Sequence, residues 1–293
     1  MSGNDESEIE ASRAPLLEHL VELRRRLVIC CAALVLGFIV CFFFADPLYR
    51  LLLRPFQMAN ALLAEQKAGG HHGPFDLLFA VTGIHPVSLH AQKLNLVFTA
   101  PLEFFFTKIK LAGFGAIVIC FPVLAFQLYR FVAPGLYRRE RAAFLPFLLA
   151  APVLFLMGAA LVYFIMLPFV LWFSLSQQIV SSDIQVQLLT KVSDYLDLVT
   201  HLLLAFGLCF QLPVVLSIAA MAGLVNGQML AKGRRYAIVA IVFVAAIVTP
   251  PDPLSQCLLA IPIYGLYEIS IWCVRLIGLR RAREDAAEEA AGA

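Results

Sequence analysis

Residues 144–172 read FLPFLLAAPVLFLMGAALVYFIMLPFVLW, with no charged side chain anywhere in the run. A helix needs roughly 20 residues to cross the ~30 Å apolar core of a bilayer, and this stretch has more than enough. It is apolar on every side, as a helix in lipid is and a surface helix of a soluble domain is not. Working outward, further apolar runs occupy 27–44, 111–133, 198–224, 236–249 and 254–274. The 293-residue chain is 61% hydrophobic and only 14% charged, against roughly 25% charged in a soluble domain. A soluble core of this size cannot hide so much apolar surface; a bilayer accepts it. The expected fold class is an all-α integral membrane protein with about six transmembrane helices.

The fifth run is short. Fourteen residues reach only about 21 Å. The run stops at Thr249-Pro250-Pro251-Asp252-Pro253, which a helix does not continue through. Helices five and six are therefore expected to form a short hairpin. Either the bilayer thins around it or neighbouring segments complete the span.

Charge placement sets the orientation. With the N-terminus inside, 15 of the 22 Lys and Arg fall in the inside segments and seven outside. The positive-inside rule then places both termini in the cytoplasm of a bacterial inner membrane. Most of the outside positives belong to a long loop after helix one, residues 45–110. Its middle, Gly69-Gly70-His71-His72-Gly73-Pro74, reads as flexible, and the stretch from Leu96 to Lys110 is apolar again, as short interfacial helices would be. The acidic start (Asp5, Glu6, Glu8, Glu10) is unlike the basic head of a secretory signal, so the first run is read as a retained helix. The domain division expected is a disordered 1–15, a single transmembrane domain over 16–280, and a disordered Ala- and Glu-rich tail over 281–293.

Several functions are disfavoured. The net charge of +2 is too small for a nucleic-acid binder. The chain has no G-x-x-x-x-G-K-[ST], H-E-x-x-H or G-x-S-x-G, the signatures of nucleotide, zinc-protease and serine-hydrolase chemistry. All seven cysteines lie in or beside apolar stretches without a C-x-x-C and read as small hydrophobes rather than a disulfide framework. His71, His72, His85 and His90 share the outer loop; their spacing is unspecific, and a solvated loop is the plainer reading than a metal site. No cofactor is implied.

Three polar features stand out. In Leu16-Leu17-Glu18-His19-Leu20-Val21-Glu22-Leu23-Arg24-Arg25-Arg26-Leu27, leucines at 16, 20, 23 and 27 make one apolar stripe. This is an amphipathic helix on the membrane surface running into helix one. Glu22 stands at the membrane entrance, where it either pairs locally with Arg26 or receives a ligand. Between helices two and three comes Phe131-Val132-Ala133-Pro134-Gly135-Leu136-Tyr137-Arg138-Arg139-Glu140-Arg141, a Pro-Gly turn with one glutamate among arginines. The third is Gln211, beside Pro213 and near the middle of helix four. At that depth a polar side chain finds a partner: a neighbouring helix of the same chain, or another subunit.

The segments His19–Arg26, Phe131–Glu140 and Thr249–Gln256 resemble the TatC family patterns H-L-x-E-L-R-x-R, F-x-x-P-x-L-Y-x-x-E and T-P-P-D-x-x-S-Q. Phe104-Phe105-Phe106-Thr107-Lys108-Ile109-Lys110-Leu111 is similar to the family's outer-loop approach to helix two. The resemblance runs over most of 16–275. It implies the receptor subunit of twin-arginine protein translocation, which is not an enzyme. It binds the signal peptides of folded export substrates at the cytoplasmic face and self-associates in a larger complex. Its partners are the single-helix TatA and TatB, and the drive is the proton-motive force. Carried over by residue, Glu22, Glu140, Arg24, Leu20, Tyr137 and Phe131 are expected to bind the signal peptide. Gln211, Pro213, Thr249, Pro250, Asp252 and Gln256 are expected at partner docking surfaces, with Phe104 and Phe105 in the outer loop. The family often has Glu where Gln211 stands, so a role needing a titrating carboxylate is not implied. The alternatives are a small-molecule secondary transporter and an intramembrane enzyme. The first needs ionisable groups inside the spans, yet Asp194, Asp197 and Glu268 lie near ends, and no internal repeat is visible. The second needs paired catalytic groups at one depth.

Overall fold

A computed structural model describes residues 3–67, 100–132, 141–176, 179–180, 185–186, 191–248 and 253–292. The elements are α1 (Gly3–Phe43), α2 (Ala45–Lys67), α3 (Glu103–Val132), α4 (Arg141–Leu161), a π-helical turn (Val162–Met166), α5 (Leu167–Ser176), β1 (Ile179–Val180), β2 (Gln185–Val186), α6 (Val192–Cys209), α7 (Leu212–Met221), α8 (Gly227–Lys232), α9 (Arg234–Val248) and α10 (Pro253–Gly292). β1 and β2 pair antiparallel, Ile179 opposite Val186; everything else assigned is helix, so the all-α class holds. Among the described residues five helical stretches are long and apolar enough to cross a membrane: Leu20–Phe43, Glu103–Phe131, Leu149–Leu171, Val192–Met221 and Gln256–Arg280.

The fifth apolar run is α9, a helix of 15 residues, short as expected. Only Gly233 separates it from α8. The Gly233 N–H bonds to Met229 O at 3.0 Å, and Gly233 O accepts from Ala237 N at 3.0 Å. Gly233 thus ends α8 and begins α9. The 15 residues of α9 reach about 22 Å, short of the ~30 Å apolar core. Lys232, Arg234 and Arg235 stand at the junction and set the start of the apolar pattern at 236.

Helices α1 and α3 pack through small residues. Ala33, Gly37 and Cys41 recur every four residues on α1, and Ala112, Ala116 and Cys120 do so on α3. A Cβ at Gly37 would lie 2.5 Å from Cys120 Sγ, and that thiol donates to Ala33 O at 3.1 Å. Such stripes let helix backbones approach closely where lipid gives no hydrophobic drive. Cys41 and Cys120 are buried and all seven cysteines are free thiols. A second close crossing joins α4 to α6, where Gly158 lies under Phe206 and Gly207 under Phe155.

The chain after helix one, read as loop, begins with the helix α2. Its Leu52, Leu53 and Phe56 enter the core. Pro55 inside it has no N–H, so the carbonyl four residues back loses its helical donor. Tyr163, on the π-helical turn, donates to Leu51 O at 2.8 Å. Tyr195 donates to Leu52 O at 2.8 Å. Two phenols from distant helices thus bond carbonyls one turn before Pro55, and Tyr163 serves the one that the proline deprives of its helical donor. At the same end of the molecule Lys108 pairs with Asp46 at 2.6 Å and Lys110 with Asp197 at 2.7 Å. The Ser193 hydroxyl donates to Glu103 at 2.5 Å.

Glu268 lies level with Arg234, which opens α9 beside Lys232 and Arg235. It is tied across to α9: Arg234 Nε reaches Oε1 at 2.7 Å and Nη2 reaches Oε2 at 2.8 Å, while the Tyr264 hydroxyl donates to Oε1 at 2.9 Å. A bidentate fork of this kind fixes orientation as well as charge. Arg234→Glu or Glu268→Arg alone is expected to lower the thermal midpoint in detergent by several degrees, and the double exchange to recover most of it. Absence of recovery in the double variant would show that the pair does not join the two helices.

Candidate functional site

Glu22 sits where α1 and α3 meet, near the end of the molecule that carries Arg130. Residues 22, 25, 26 and 29 recur at the spacing of one helical face. With Gln127 and Arg130 of α3 they line a polar hollow of about 240 Å³. The Glu22 carboxylate is engaged. Arg26 Nε donates to Glu22 Oε1 at 3.1 Å, Nη2 contacts the same oxygen, and Nη1 reaches Gln127 Oε1 at 3.5 Å. The Arg26 side chain is only 16% exposed and that of Glu22 34%. Of the two sequence readings of Glu22, the local pair is therefore present. The Arg130 guanidinium lies over the Phe126 ring, 5.6 Å from its centre. The lining thus carries three guanidiniums and one carboxylate.

The other expected peptide contacts divide. Arg24 follows Glu22 by two residues, about 200° around a helix of 3.6 residues per turn. It lies outside the hollow on the exposed side of α1 with Leu20 and Leu27. Phe131 is half-buried at the end of α3. Tyr137 and Glu140 lie outside the described residues. The sequence reading missed Gln127. Its signal is a polar side chain inside an apolar run, three residues before Arg130.

Gln211 occupies the break between α6 and α7 rather than a helix interior. Pro213, at the start of α7, removes a helical donor and turns the span. The Gln211 amide donates to Ala151 O at 2.9 Å and approaches Gly207 O at 3.5 Å. It therefore has the partner within its own chain that its depth demands. Gln256 Nε2 donates to Val242 O at 3.2 Å and ties α10 to α9. Thr249, Pro250 and Asp252 lie outside the described residues. The face of α9 with Val239, Phe243 and Ile247 is strongly exposed. A shallow apolar groove of about 250 Å³ runs between α9 and α10, lined by Ile238, Ile241, Val242, Ala260, Ile261 and Tyr264.

At the other end, Phe104 meets Tyr49 edge-on at 6.2 Å, and the Lys108 ammonium lies 4.9 Å over its ring. Phe105 is half-exposed beside Phe106. His71, His72, His85 and His90 lie outside the described residues. Among the described residues no group of three His, Cys, Asp or Glu comes together to hold a metal ion.

Comparison with known proteins agrees over most of the chain. The family model for TatC, Sec-independent protein translocase protein, matches residues 18–262. The protein named Sec-independent protein translocase protein TatC in Magnetococcus marinus is 41% identical over 278 residues, covering 95% of this chain and 90% of that one. The Escherichia coli K12 protein of the same name is 32% identical over 272 residues, with 92% of each covered. A crystal structure titled Twin Arginine Translocase Receptor TatC superposes with a TM-score of 0.67 at 32% identity, over 88% of this chain and 98% of that one. A second, in DDM, gives 0.68 over 88% and 99%. Three sequence motifs in order, a matching helical fold and this breadth of identity place the chain in the TatC family of Sec-independent protein translocase proteins.

Proposed function

We propose that this chain is the signal-peptide receptor and assembly core of a twin-arginine translocase, and that it exports folded proteins at the expense of the proton-motive force. The observation that carries the proposal is the hollow at Glu22, a partly desolvated carboxylate already bound by a guanidinium and so shaped for one. Arginine's planar fork matches a carboxylate in a way lysine's ammonium does not. Partial burial makes such a pair stronger than an exposed one. Glu140 is the second carboxylate that the family motif implies, Tyr137 and Phe131 belong to the same motif, and the apolar part of the signal peptide runs along the helices.

The residue distribution supports a bacterial inner-membrane protein with both termini in the cytoplasm, 16–280 forming one transmembrane domain and the short α9 serving as the fifth of six spans. TatA- and TatB-type single helices would dock on the exposed apolar face of α9 and its groove with α10, and near Gln211. The family is a translocase family and not an enzyme family.

The test is photo-crosslinking of a twin-arginine signal peptide to membranes containing the protein, with a twin-lysine peptide as control. Wild type is expected to capture the twin-arginine peptide alone, and Glu22→Ala or Glu140→Ala to abolish capture while the protein remains inserted. Equal capture by both variants would place recognition elsewhere. Equal capture of both peptides by wild type would end the receptor reading.

A further inference from the structure

We infer that Arg26 is a built-in occupant of the signal-peptide site, an internal arginine that holds Glu22 in the resting protein and must be displaced before a peptide arginine can bind. The inference rests on the reading of Glu22 as a receptor carboxylate and adds a regulatory element to it. Arg26 is one turn from Glu22 on the same face, is largely buried, and directs two of its donors to a single carboxylate oxygen. An incoming guanidinium competes with this resident for the same carboxylate.

The structure also provides for the displaced side chain. Gln127 Oε1, on α3, lies 3.5 Å from Arg26 Nη1, at the limit of a hydrogen bond. A small swing shortens that contact as the one to Glu22 opens, so the leaving guanidinium keeps an acceptor. Arg25 and Arg130 line the same hollow.

Thermodynamically, such an occupant divides the intrinsic affinity of every ligand by the same factor, since only the fraction of protein with Glu22 released is competent. It does not change the ratio between arginine and lysine ligands. It raises the threshold, so that a twin-lysine peptide falls below useful binding while a twin-arginine peptide stays above it.

The experiment titrates fluorescent twin-arginine and twin-lysine peptides against the full chain in nanodiscs. Arg26→Gln is expected to tighten both by the same factor, about fivefold or more, leaving their ratio unchanged. Arg25→Gln removes the same charge from the same hollow without freeing Glu22, so its gain is expected to be clearly smaller. Gln127→Leu withdraws the acceptor for the displaced guanidinium and is expected to weaken both peptides. The gain from Arg26→Gln is expected to vanish in a Glu22→Gln background. If Arg26→Gln weakens binding or leaves it unchanged, Arg26 organises the site and the inference fails while the receptor reading stands. Equal gains from Arg25→Gln and Arg26→Gln would reduce the effect to general charge and also overturn it. If Glu22→Gln alone leaves twin-arginine binding intact, the receptor site itself is misplaced, and the inference falls with it.

Discussion

Gly158→Leu is expected to remove the folded protein, lowering the yield of monodisperse material in detergent by tenfold or more. The first carbon of any side chain at 158 would lie 2.8 Å from the Phe206 carbonyl oxygen and 2.9 Å from the Phe210 ring. The oxygen belongs to the backbone of α6 and cannot step aside without moving the helix. The reciprocal contact is as tight: a Cβ at Gly207 would lie 2.5 Å from the Phe155 ring, which is itself stacked on Phe121 at 4.0 Å. Overpacking a rigid core costs about 1–3 kcal/mol and sometimes more, and here it separates α4 from α6. Gly113→Ala is the matched control. Nothing lies within 4 Å of its added carbon, so it should fold as wild type or gain about 0.5–1 kcal/mol of helix stability. Size-exclusion profiles and thermal melts of both variants decide the matter; a normal profile for Gly158→Leu would mean that α4 and α6 do not cross at this distance.

The second large effect lies at the Pro55 kink. Tyr195→Phe removes the hydroxyl that serves Leu52 O while keeping the ring, which packs against Phe56 with centres 5.1 Å apart. Losing a hydrogen bond of this kind costs about 0.5–1.5 kcal/mol net. Tyr163→Phe withdraws the donor to the adjacent carbonyl of Leu51, and the double variant should cost more than either alone. The signature is local: faster amide exchange within 45–60 and a lowered thermal midpoint, with α1 and α3 unaffected. Unchanged exchange in the double variant would mean that water or another group takes over both carbonyls.

The spans were legible because lipid imposes a length and an apolar surface that composition alone reveals. Residues 144–172 could hardly be anything but a crossing helix. The motifs at 19–26, 131–140 and 249–256 were legible because they are local. Long-range geometry was not. Glu22 and Arg24 are neighbours in sequence, yet the helical rotation between them puts one in the hollow and the other outside it. Gln127 joins Glu22 only through the register of α1 against α3, which small residues on both helices set. The short fifth helix was legible because the cations at 232, 234 and 235 stand at its start and Pro250 and Pro251 follow it. The pairing of Glu268 with Arg234 was not, since it joins residues 34 apart on two helices. The capping of Leu51 and Leu52 by tyrosines over a hundred residues away leaves no local trace except Pro55.

The one-sided attachment of α1 has a consequence for how the protein is made. Only 11% of its most apolar window is buried, and its main support, α3, begins at Glu103, sixty residues after α1 ends at Phe43. At synthesis rates of roughly 5–20 residues per second, α1 leaves the ribosome about 3–12 s ahead of that support. For this interval hydrocarbon is its only solvent. An apolar surface on nearly every side lets it wait there alone, and the narrow stripe of Ala33, Gly37 and Cys41 carries little that lipid would reject. Docking of α1 therefore waits for α3, and the hollow at Glu22, which needs both helices, comes into being only when that docking is done.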